Sequence, residues 1–484
     1  MSKFYITTAI DYLNAKPHLG HALEKIQADV LARYHRQKGE EVFFLTGTDE
    51  HGVKVLRAAK VAGLETQVFV DELAEEFKDL KKYLNLSTDG FIRTSDKINH
   101  WPGVLALWEK LVKAGDIYKK KYRGLYCVGH EAFVTEKDLK DGRCVEHQKE
   151  PEVVEEENYF FRLSKYSKEI GERIKKKELR ILPETRENEI LALIERGLED
   201  VSFSRPSKDL PWGISVPGDP EHTMYVWCDA LTNYISAIGY GRNEDYKKWW
   251  PANAQIIGKD ILRFHAAIWP GMLLSAGLPL PRQILVHGFI NIDGQKMSKT
   301  IGNVLDPVEL VKKYGADPIR YFLLKEIPSG EDGDFSEEKF KMVYSGQLAN
   351  GLGNFSARVL GLASKFEKLE GDFKLIDKAV EEKISVTRKI IDSKLGEFRI
   401  HEAVAVIDEL ISFGDRYVNE NEVWKETELK KEIIINLIVI LDNAASFLKP
   451  FLPETAEKIE KSIQWIDEKT LTVKKGEVLF PRLN

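Results

Sequence analysis

The chain contains little cysteine, no long apolar run and no targeting pattern. Its 484 residues include only three cysteines, which argues against a disulfide framework and for a reducing compartment. The longest apolar stretch, residues 433–441, contains Asn436 and is too short to cross a bilayer. The chain enters a strand-like run at Phe4 without a basic and apolar signal segment. We therefore expect a soluble, cytoplasmic protein.

Length and composition favour several folded domains. A chain of 484 residues exceeds one ordinary domain, and its hydrophobic share of 43% is ample for several packed cores. The net charge of −6 does not favour a polyanionic partner. Nucleic acid responds to local charge, however, and basic clusters occur at residues 119–121 and 175–177. Each cluster is also typical of a solvated surface, so composition leaves RNA binding open.

The first part of the chain alternates strand-like and helix-like patterns. Apolar runs at residues 4–10 and 42–46 each lead through a turn into a helical pattern, which is typical of a parallel α/β sheet. Ligands of such sheets bind at the carboxyl ends of the strands, where we expect His18 and Asp49. Near Asp116 the pattern changes to short strands and turns.

Strand and helix patterns return in the middle of the chain. We expect strands at Val226-Trp227, at residues 254–257 and at residues 283–286. The simplest account is one parallel sheet that an inserted domain splits. From Gly346 onward, apolar residues recur at three- and four-residue spacing, which predicts a helix bundle.

The first motif that carries chemistry is Pro17-His18-Leu19-Gly20-His21. Pro17 suits the first turn of a helix, and His18 and His21 would then share one helical face. Gly20 removes a side chain beside them, and the N-terminus of a helix favours phosphate. Two surface histidines are the alternative, against which the strand–loop–helix context argues.

The second motif is Lys296-Met297-Ser298-Lys299-Thr300, which follows the turn residues Asp293 and Gly294. Two lysines in a loop flanked by glycine can reach one phosphate chain from the same side. An exposed basic loop would be the better interpretation if this motif stood alone.

Together the two motifs resemble the HIGH and KMSKS signatures of class I aminoacyl-tRNA synthetases. The surrounding sequence is similar to the methionyl-tRNA synthetase family, and this similarity extends from residue 4 into the helical third. The matching segments are residues 14–21, residues 45–52, Tyr225-Val226-Trp227 with Asp229-Ala230, and Gly258-Lys259-Asp260.

The resemblance implies an α/β fold with a split Rossmann-type parallel sheet, an inserted zinc-bearing domain and an all-α helix bundle. The expected segments are the first half of the Rossmann catalytic domain (1–115), an inserted connective domain with a metal-binding knuckle (116–224), the second half of the Rossmann domain (225–291), a KMSKS-loop and stem-contact region (292–345) and an α-helical anticodon-binding domain (346–484).

The resemblance also implies an activity. The chain would activate methionine with ATP as methionyl-adenylate, release pyrophosphate and transfer the amino acid to the 3′-terminal adenosine of tRNA(Met). No protein nucleophile is needed, so positioning and charge stabilisation carry the rate. His18, His21, Lys296 and Lys299 would be catalytic, with Mg²⁺ accompanying the ATP. The implied ATP-binding residues are His18, Gly20, His21, Lys296, Ser298 and Lys299.

A methionine pocket follows from the same resemblance. The implied pocket residues are Ile10, Tyr12, Asp49, Trp227, Ala230, Tyr234 and His265. Aromatic rings suit a flexible thioether, and a carboxylate at Asp49 suits an ammonium group. Ordinary core packing is the alternative for the rings, and a helix N-cap is the alternative for Asp49. Ala9, Asp11 and Leu231 depart from the family pattern, so the detailed shape of the pocket is expected to differ from that of relatives.

Two C-x-x-H pairs in the inserted segment suit tetrahedral zinc. The family match makes Cys127, His130, Cys144 and His147 the four ligands of one structural site, although many relatives carry cysteine at residue 130. Loss of the metal and four unrelated surface residues are the alternatives. The third cysteine, Cys228, is expected to pack as a small apolar residue inside the Val226-Trp227 strand.

The helical third contains three residues that match the family's readers of the CAU anticodon. Asn354 and Arg358 are four apart and share a helical face, and Trp424 can stack a splayed base. A helix cap, a surface arginine and a core tryptophan are the alternatives, and Val423 stands where proline is frequent. The chain ends at residue 484, soon after the bundle, so we expect a monomer.

Three rival functions remain. A cysteine-specific class I synthetase would place its zinc in the catalytic pocket rather than in the insertion. A non-catalytic RNA-binding paralogue would tolerate loss of His18, His21, Lys296 or Lys299, and all four are present. A zinc-dependent nucleic-acid-binding module would not account for the two phosphate motifs.

Overall fold

The structure is a computed structural model that describes residues 2–129, 132–134, 139–145, 148–297, 302–371, 376–425, 430–467 and 469–483. The chain divides into two compact units. The first, which we call the sheet unit, comprises Met1–Pro17, His35–Lys81 and Ser87–His287. The second, the helical unit, comprises His18–Tyr34, Lys82–Leu86 and Gly288–Asn484. Within the described ranges, each helix is too short or too polar to span a membrane.

The strands of the described residues run in chain order as follows: β1 (Lys3–Thr8), β2 (Asp11–Tyr12), β3 (Glu41–Asp49), β4 (Gly90–Arg93), β5 (Ile117–Cys127), β6 (Ala132–Val134), β7 (Leu139–Lys140), β8 (Arg143–Cys144), β9 (Glu152–Phe161), β10 (Arg180–Leu182), β11 (Val201–Ser202), β12 (Ser204–Pro206), β13 (Ser215–Val216), β14 (Asp219–Met224), β15 (Ala254–Gly258), β16 (Gln283–His287), β17 (Ile290–Ile292), β18 (Gln295–Lys296), β19 (Gly333–Phe335), β20 (Leu369–Glu370), β21 (Ile463–Trp465) and β22 (Thr470–Val473).

The α-helices are α1 (Leu19–Gln37), α2 (Val53–Ala62), α3 (Thr66–Tyr83), α4 (Trp101–Lys113), α5 (Ser167–Lys175), α6 (Glu184–Glu195), α7 (Val226–Ala230), α8 (Asn233–Ser236), α9 (Tyr246–Trp249), α10 (Trp269–Ser275), α11 (Pro307–Tyr314), α12 (Ala316–Lys325), α13 (Glu337–Val343), α14 (Asn354–Ala363), α15 (Lys378–Gly396), α16 (Ile400–Glu420), α17 (Lys430–Leu448) and α18 (Pro453–Ser462). π-Helical turns occur at Phe264–Ile268 and Tyr344–Gly353, and 3₁₀ turns at Leu163–Tyr166 and Lys259–Ile261.

A parallel sheet forms the centre of the sheet unit. Its strands lie in the order β10-β16-β15-β1-β3-β2, and β4 also pairs with β3. Ile6 is level with Phe44 on one side and with Ala254 on the other. All five residues of β15 and the last five of β1 are buried, because helices cover both faces of such a sheet and its strands become continuous apolar runs.

The segment between β4 and β15 builds smaller antiparallel sheets. The long strands β5 and β9 pair from Ile117 with Phe161 to Tyr126 with Glu152. They form a four-stranded sheet with β11 and β6, and β12, β14 and β13 form a separate three-stranded sheet. The shorter strands agree with the short-strand pattern of the sequence, whereas β5 and β9, with 11 and 10 residues, are longer than that pattern predicted.

The helical unit contains most of α1 and the helices from α11 to α18. Helices α14 to α17 pack through apolar stripes such as Val404, Ile407 and Ile411 of α16, all of which are buried. Two small sheets accompany them, with strand orders β18-β17-β19 and β20-β22-β21. The second of these sheets was not predicted, because its strands are only two to four residues long.

The predicted α/β class, the parallel sheet and the helical C-terminal region are confirmed. The predicted strand at Val226-Trp227 is wrong, because these residues open the short helix α7. The apolar Tyr-Val-Trp run resembles a strand, but Cys228 N–H bonds to the carbonyl of Tyr225, which starts a helical turn instead. The boundaries of the five segments and the monomeric state stay predictions.

Candidate active site

The two motif histidines form a stacked pair at the start of α1. Their ring centroids lie 3.7 Å apart with an interplanar angle of 21°. The backbone N–H of His18 donates to Nδ1 of His21 at 3.0 Å, and the N–H of Gly20 donates to Nδ1 of His18 at 3.2 Å. Because each Nδ1 accepts a hydrogen bond, each neutral ring carries its proton on Nε2. Both rings are therefore hydrogen-bond donors at Nε2.

The His18 imidazole lies so close to the backbone of Gly20 that it leaves little room for a side chain there. A Cβ atom at this position would lie 3.0 Å from Cε1 and 3.1 Å from Nδ1 of His18. A larger residue would therefore force the His18 imidazole to shift by a few tenths of an ångström.

The lysine motif begins on a tight hairpin of the same helical unit. β18 pairs with β17, and the turn residues Asp293 and Gly294 have φ values of 50° and 74°. Positive φ at both central residues is the geometry that Asp-Gly favours in hairpins. Lys296 is exposed, and its Nζ lies 5.5 Å from the centroid of the Phe289 ring. Ser298 and Lys299 lie outside the described residues.

A backbone hydrogen bond links the two motifs. The N–H of Leu19, the first residue of α1, donates to the carbonyl of Leu305 at 3.1 Å. Leu305 belongs to the segment that leads out of the lysine loop. Near the start of that segment, the Asn303 amide donates to the carbonyl of Lys296 at 3.3 Å. Within the helical unit, the start of α1 is thus hydrogen-bonded to the segment that follows the lysine loop.

The residues predicted to bind methionine lie in the sheet unit. Asp49 is the last residue of β3, and its carbonyl accepts the N–H of Leu13 at 2.9 Å next to β2. Asp49 is not the N-cap of α2, since Gly52 occupies that position without a side-chain cap. Ile10 and Tyr12 are half-buried, and Tyr12 pairs with Asp49 in register.

Tyr234 and His265 form one buried hydrogen-bonded chain. The Tyr5 hydroxyl donates to the carbonyl of Tyr234 at 2.7 Å, and Nδ1 of His265 donates to the carbonyl of Ile261 at 2.9 Å. Nε2 of His265 therefore accepts the Tyr234 hydroxyl at 2.7 Å. Burial lowers the pKa of His265 to about 4, so the ring is neutral near pH 7.

Aromatic stacking fixes Trp227 on α7. Its ring stacks on Phe264 with centroids 3.7 Å apart and an interplanar angle of 8°, and it meets His265 edge-on at 6.2 Å. Ala230, one turn later, is buried. Phe264 was missed by the sequence reasoning, because a π-helical turn has no sequence signature and a lone Phe usually indicates core.

A cavity of about 920 Å³ lies next to this stack in the sheet unit. Tyr225 and Phe264 contribute apolar surface to its wall, and Arg205, Lys259 and Arg263 contribute charge. The sequence reasoning assigned no role to these charged residues, since isolated basic residues usually indicate solvated surface. Their position on one cavity wall appears only after folding.

The two cysteines of the predicted metal site lie in one small buried cluster. Cys127 is 2% exposed and Cys144 is 1% exposed, and both pack with Val134. His130 and His147 lie outside the described residues. Two of the four predicted donors are therefore close together in an apolar environment.

The three residues predicted to read the anticodon lie in the helical unit. Asn354 is exposed at the start of α14, and Arg358 forms an ion pair with Asp415 at 3.1 Å. Arg358 also donates to the side chain of Asn419 at 3.0 Å, which places it against the last turns of α16. The turn after α16 carries Trp424, whose side chain is 60% exposed and is therefore not a core tryptophan.

Known proteins resemble this chain over almost its whole length. A family model for tRNA synthetases class I (M) matches residues 4–140 and 134–360. The methionine–tRNA ligase of Thermotoga maritima is 42% identical over 481 residues, which cover 96% of this chain and 75% of the relative. That of Brucella suis biovar 1 is 42% identical over 471 residues, 94% of this chain and 91% of the relative. The chain belongs to the methionine–tRNA ligase family.

A solved member of this family has the same fold. Mycobacterium tuberculosis methionyl-tRNA synthetase in complex with methionyl-adenylate matches with a TM-score of 0.93 and 37% identity, over 100% of each chain. Membership of the methionine–tRNA ligase family argues against the cysteine-specific synthetase and against the zinc-dependent module.

Proposed function

We propose that this chain activates methionine with ATP as methionyl-adenylate, releases pyrophosphate and transfers the methionyl group to the 3′-terminal adenosine of tRNA(Met). The observation that carries the proposal is the Leu19–Leu305 hydrogen bond, which links the histidine segment to the flank of the lysine loop. The names of the relatives and the methionyl-adenylate in the mycobacterial complex support the choice of methionine.

The nucleotide is held by the helical unit. The Nε2–H groups of His18 and His21 donate hydrogen bonds to the triphosphate. Negative charge increases there as the methionine carboxylate attacks the α-phosphorus. Lys296 and Lys299 neutralise the departing pyrophosphate, and Gly20 and Ser298 complete the ATP site. Mg²⁺ enters with ATP and offsets part of the triphosphate charge. Preorganised donors of this kind typically contribute ~3–4 kcal/mol each to the transition state.

The amino acid is held by the sheet unit. Asp49 pairs with the ammonium group, because a positive charge removed from water needs a carboxylate. Tyr12, Trp227 and Tyr234 provide ring surfaces for the thioether. Ile10, Ala230 and His265 complete the wall, and the neutral His265 adds no charge beside the apolar side chain.

The anticodon is read by the helical unit. Arg358, which is fixed by Asp415 and Asn419, presents its guanidinium beside the exposed end of α16. Trp424 presents a large exposed ring on which an unpaired base can stack. With Asn354, these residues recognise the CAU sequence.

One structural zinc ion holds the knuckle of the insertion. Cys127 and Cys144 are buried in one apolar cluster, which suits thiolates that a metal neutralises. His130 and His147 supply the other two donors. Zinc would supply no chemistry to the reaction and would hold the segment of Cys127 to that of Cys144. Elemental analysis of the purified chain should find one zinc ion, which Cys144→Ser should lose, and a metal-free unaltered chain would contradict the site.

Charging of tRNA tests the proposed function. The purified chain should convert labelled methionine and tRNA(Met) into acid-precipitable methionyl-tRNA in the presence of ATP and Mg²⁺. Lys296→Ala is the control for background enzyme, and tRNA with a changed anticodon is the control for specificity. Formation of the adenylate without any transfer to tRNA would contradict the second half of the proposal.

A further inference from the structure

A cluster of buried titratable side chains in the sheet unit has no part in the chemistry described above. Asp229, on α7, is 1% exposed. Its Oδ2 lies 2.5 Å from Nδ1 of His51, and its Oδ1 lies 2.6 Å from Nε2 of His100. Nδ1 of His100 lies 2.8 Å from Oγ of Ser236. We call Asp229, His51, His100 and Ser236 the Asp229 cluster.

Three of the four members of the Asp229 cluster lie on segments that carry proposed methionine-binding residues, and the fourth, His100, lies just before α4. His51 follows Asp49 by two residues, at the carboxyl end of β3. Ser236 ends α8, which also carries Tyr234. Asp229 lies on α7 with the two pocket residues of that helix. The cluster therefore connects three of the segments that carry proposed pocket residues, namely the end of β3, α7 and α8.

The histidines of the cluster favour the ionised form of the Asp229 carboxylate. Burial alone would raise the pKa of Asp229, but the charge of His51 and the hydrogen bond from His100 together bring that pKa below its ordinary value. An ionised carboxylate only accepts hydrogen bonds, so both ring nitrogens that face it are donors. Charge-assisted bonds to both oxygens fix the carboxylate in position and orientation. Trp101 and Trp212 meet the His51 ring edge-on at 6.2 and 5.6 Å, which also restricts that ring.

We propose that Asp229 is a positioning residue, which sets the spacing between the Asp49 segment and α7 and thereby determines the side-chain length that the pocket accepts. The proposal rests on the proposed function. Asp229 acts through the segments that its two histidines connect, since both carboxylate oxygens are bonded to imidazole. Loss of one bond lets α7 shift relative to β3. A displacement of about 1 Å in a positioning group can cost on the order of 100-fold in rate or binding.

A purely structural role for Asp229 would give a different result, and a second buried carboxylate provides the matched control. Asp116 of the sheet unit is also 1% exposed, and it accepts hydrogen bonds from Tyr166 at 2.5 Å, Ser275 at 2.7 Å and Lys165 at 2.8 Å. None of these partners belongs to the proposed pocket. Asp116→Asn should therefore lower the melting temperature without changing amino-acid recognition.

The experiment measures ATP–pyrophosphate exchange by the full chain with methionine and with ethionine, which is longer by one methylene group. Asp229→Asn should raise the KM for methionine about 10- to 100-fold, leave the KM for ATP unchanged and reduce the preference for methionine over ethionine. Asp116→Asn should change none of these three quantities. Equal effects of both variants, or an unchanged KM for methionine in Asp229→Asn, would overturn the inference.

A second pair of variants keeps the test decisive if Asp229→Asn does not fold. His100→Gln retains an N–H donor near the position of Nε2, whereas His100→Leu has a similar size and lacks the donor. The glutamine variant should retain a methionine KM closer to that of the unaltered chain than the leucine variant does, and equal KM values would overturn the inference. Exchange by the unaltered chain with methionine separates the two claims, since its absence would refute the proposed function itself.

Discussion

Two buried carboxylates, one in each unit, form hydrogen bonds or ion pairs with different kinds of side chain. In the sheet unit, Asp229 is bonded to two imidazoles. In the helical unit, Asp29 of α1 meets Nε of Arg33 at 2.7 Å and Nη2 of Arg320 at 2.8 Å. Asp29 and Arg320 are both completely buried. Arg320 also donates to backbone carbonyls, at Leu84 (3.1 Å), Pro450 (3.0 Å) and Phe451 (2.7 Å).

The difference between these partners indicates how each half of the proposed reaction is supported. Guanidinium stays protonated at every accessible pH, so the helix that begins at the two motif histidines is fixed by constant charge. Imidazole can exist neutral or protonated, and the proposed methionine pocket contains one imidazole, that of His265. We therefore expect the stability contribution of the Asp29–Arg320 contact to be the same at pH 6 and pH 8, and that of the buried His265 to change as pH falls.

The largest expected effect comes from removing the Asp29 carboxylate, which pairs with Arg320 in the helical unit. Asp29→Asn removes the carboxylate that is ion-paired with the buried Arg320 guanidinium, so the free energy of unfolding should fall by about 3–5 kcal/mol. Because arginine does not titrate, the loss should be the same at pH 6 and pH 8. Chemical denaturation of the variant and the unaltered chain at both pH values measures it. A loss below about 1 kcal/mol, or one that changes with pH, would contradict this account of Asp29.

The next effect separates the chemistry of the two units. Lys296→Ala should slow adenylate formation by about 100- to 1000-fold, because it removes a donor to the departing pyrophosphate. The Kd for methionine should change little, since the proposed pocket lies in the sheet unit. Single-turnover kinetics and equilibrium methionine binding check both statements. Lys312→Ala, which removes an exposed lysine of the same unit, is the matched control and should be silent.

A large rise in the methionine Kd with normal single-turnover chemistry would reverse the roles assigned to the two units.

A third effect tests the pH response of the sheet unit. Burial lowers the pKa of His265 from 6.5 to about 4, so between these values the unfolded chain binds a proton that the folded chain does not. Stability therefore falls as pH falls, by about 3 kcal/mol at pH 4 relative to neutral pH. The measurement is the unfolding free energy of the unaltered chain minus that of His265→Gln, at pH 7.5 and at pH 4. A difference that stays constant over this range would show that folding does not lower the pKa of His265.

The smallest of the four effects concerns the helical unit alone. Trp424→Ala should reduce tRNA charging by about 5- to 150-fold, which corresponds to a stacking energy of ~1–3 kcal/mol, and should spare ATP–pyrophosphate exchange. Trp465→Ala is the control, since this tryptophan of β21 is also exposed, at 42%, and has no proposed contact with tRNA. Equal losses of charging and exchange in Trp424→Ala would refute its role as an anticodon reader.

Strands and helices with strong local patterns were predictable from the sequence. The apolar runs in β1, β3, β15 and β16 indicated buried parallel strands, and the three- and four-residue spacing after residue 346 indicated a bundle. The segment that became α7 was not predictable, because its apolar run fits a strand as well as a short helix. Local pattern decides long elements, whereas tertiary contacts decide short ones.

The candidate site was predictable only where a motif marks it. The histidine motif and Lys296 were found from their spacing, and the methionine-binding set came from resemblance. The Asp229 cluster was missed, because its members are separated by up to 185 residues, from His51 to Ser236, and each resembles an ordinary core or loop residue. Arg320 was missed for the same reason. Such groups come together only in the folded chain, and their proximity cannot be predicted from a single sequence.

ATP–pyrophosphate exchange with each of the twenty amino acids tests the central claim most directly. The unaltered chain should exchange pyrophosphate with methionine and with no other standard amino acid, and Lys296→Ala should reduce that exchange by about 100-fold or more. Exchange that depends on a different amino acid, or none with any of the twenty, would contradict the assignment.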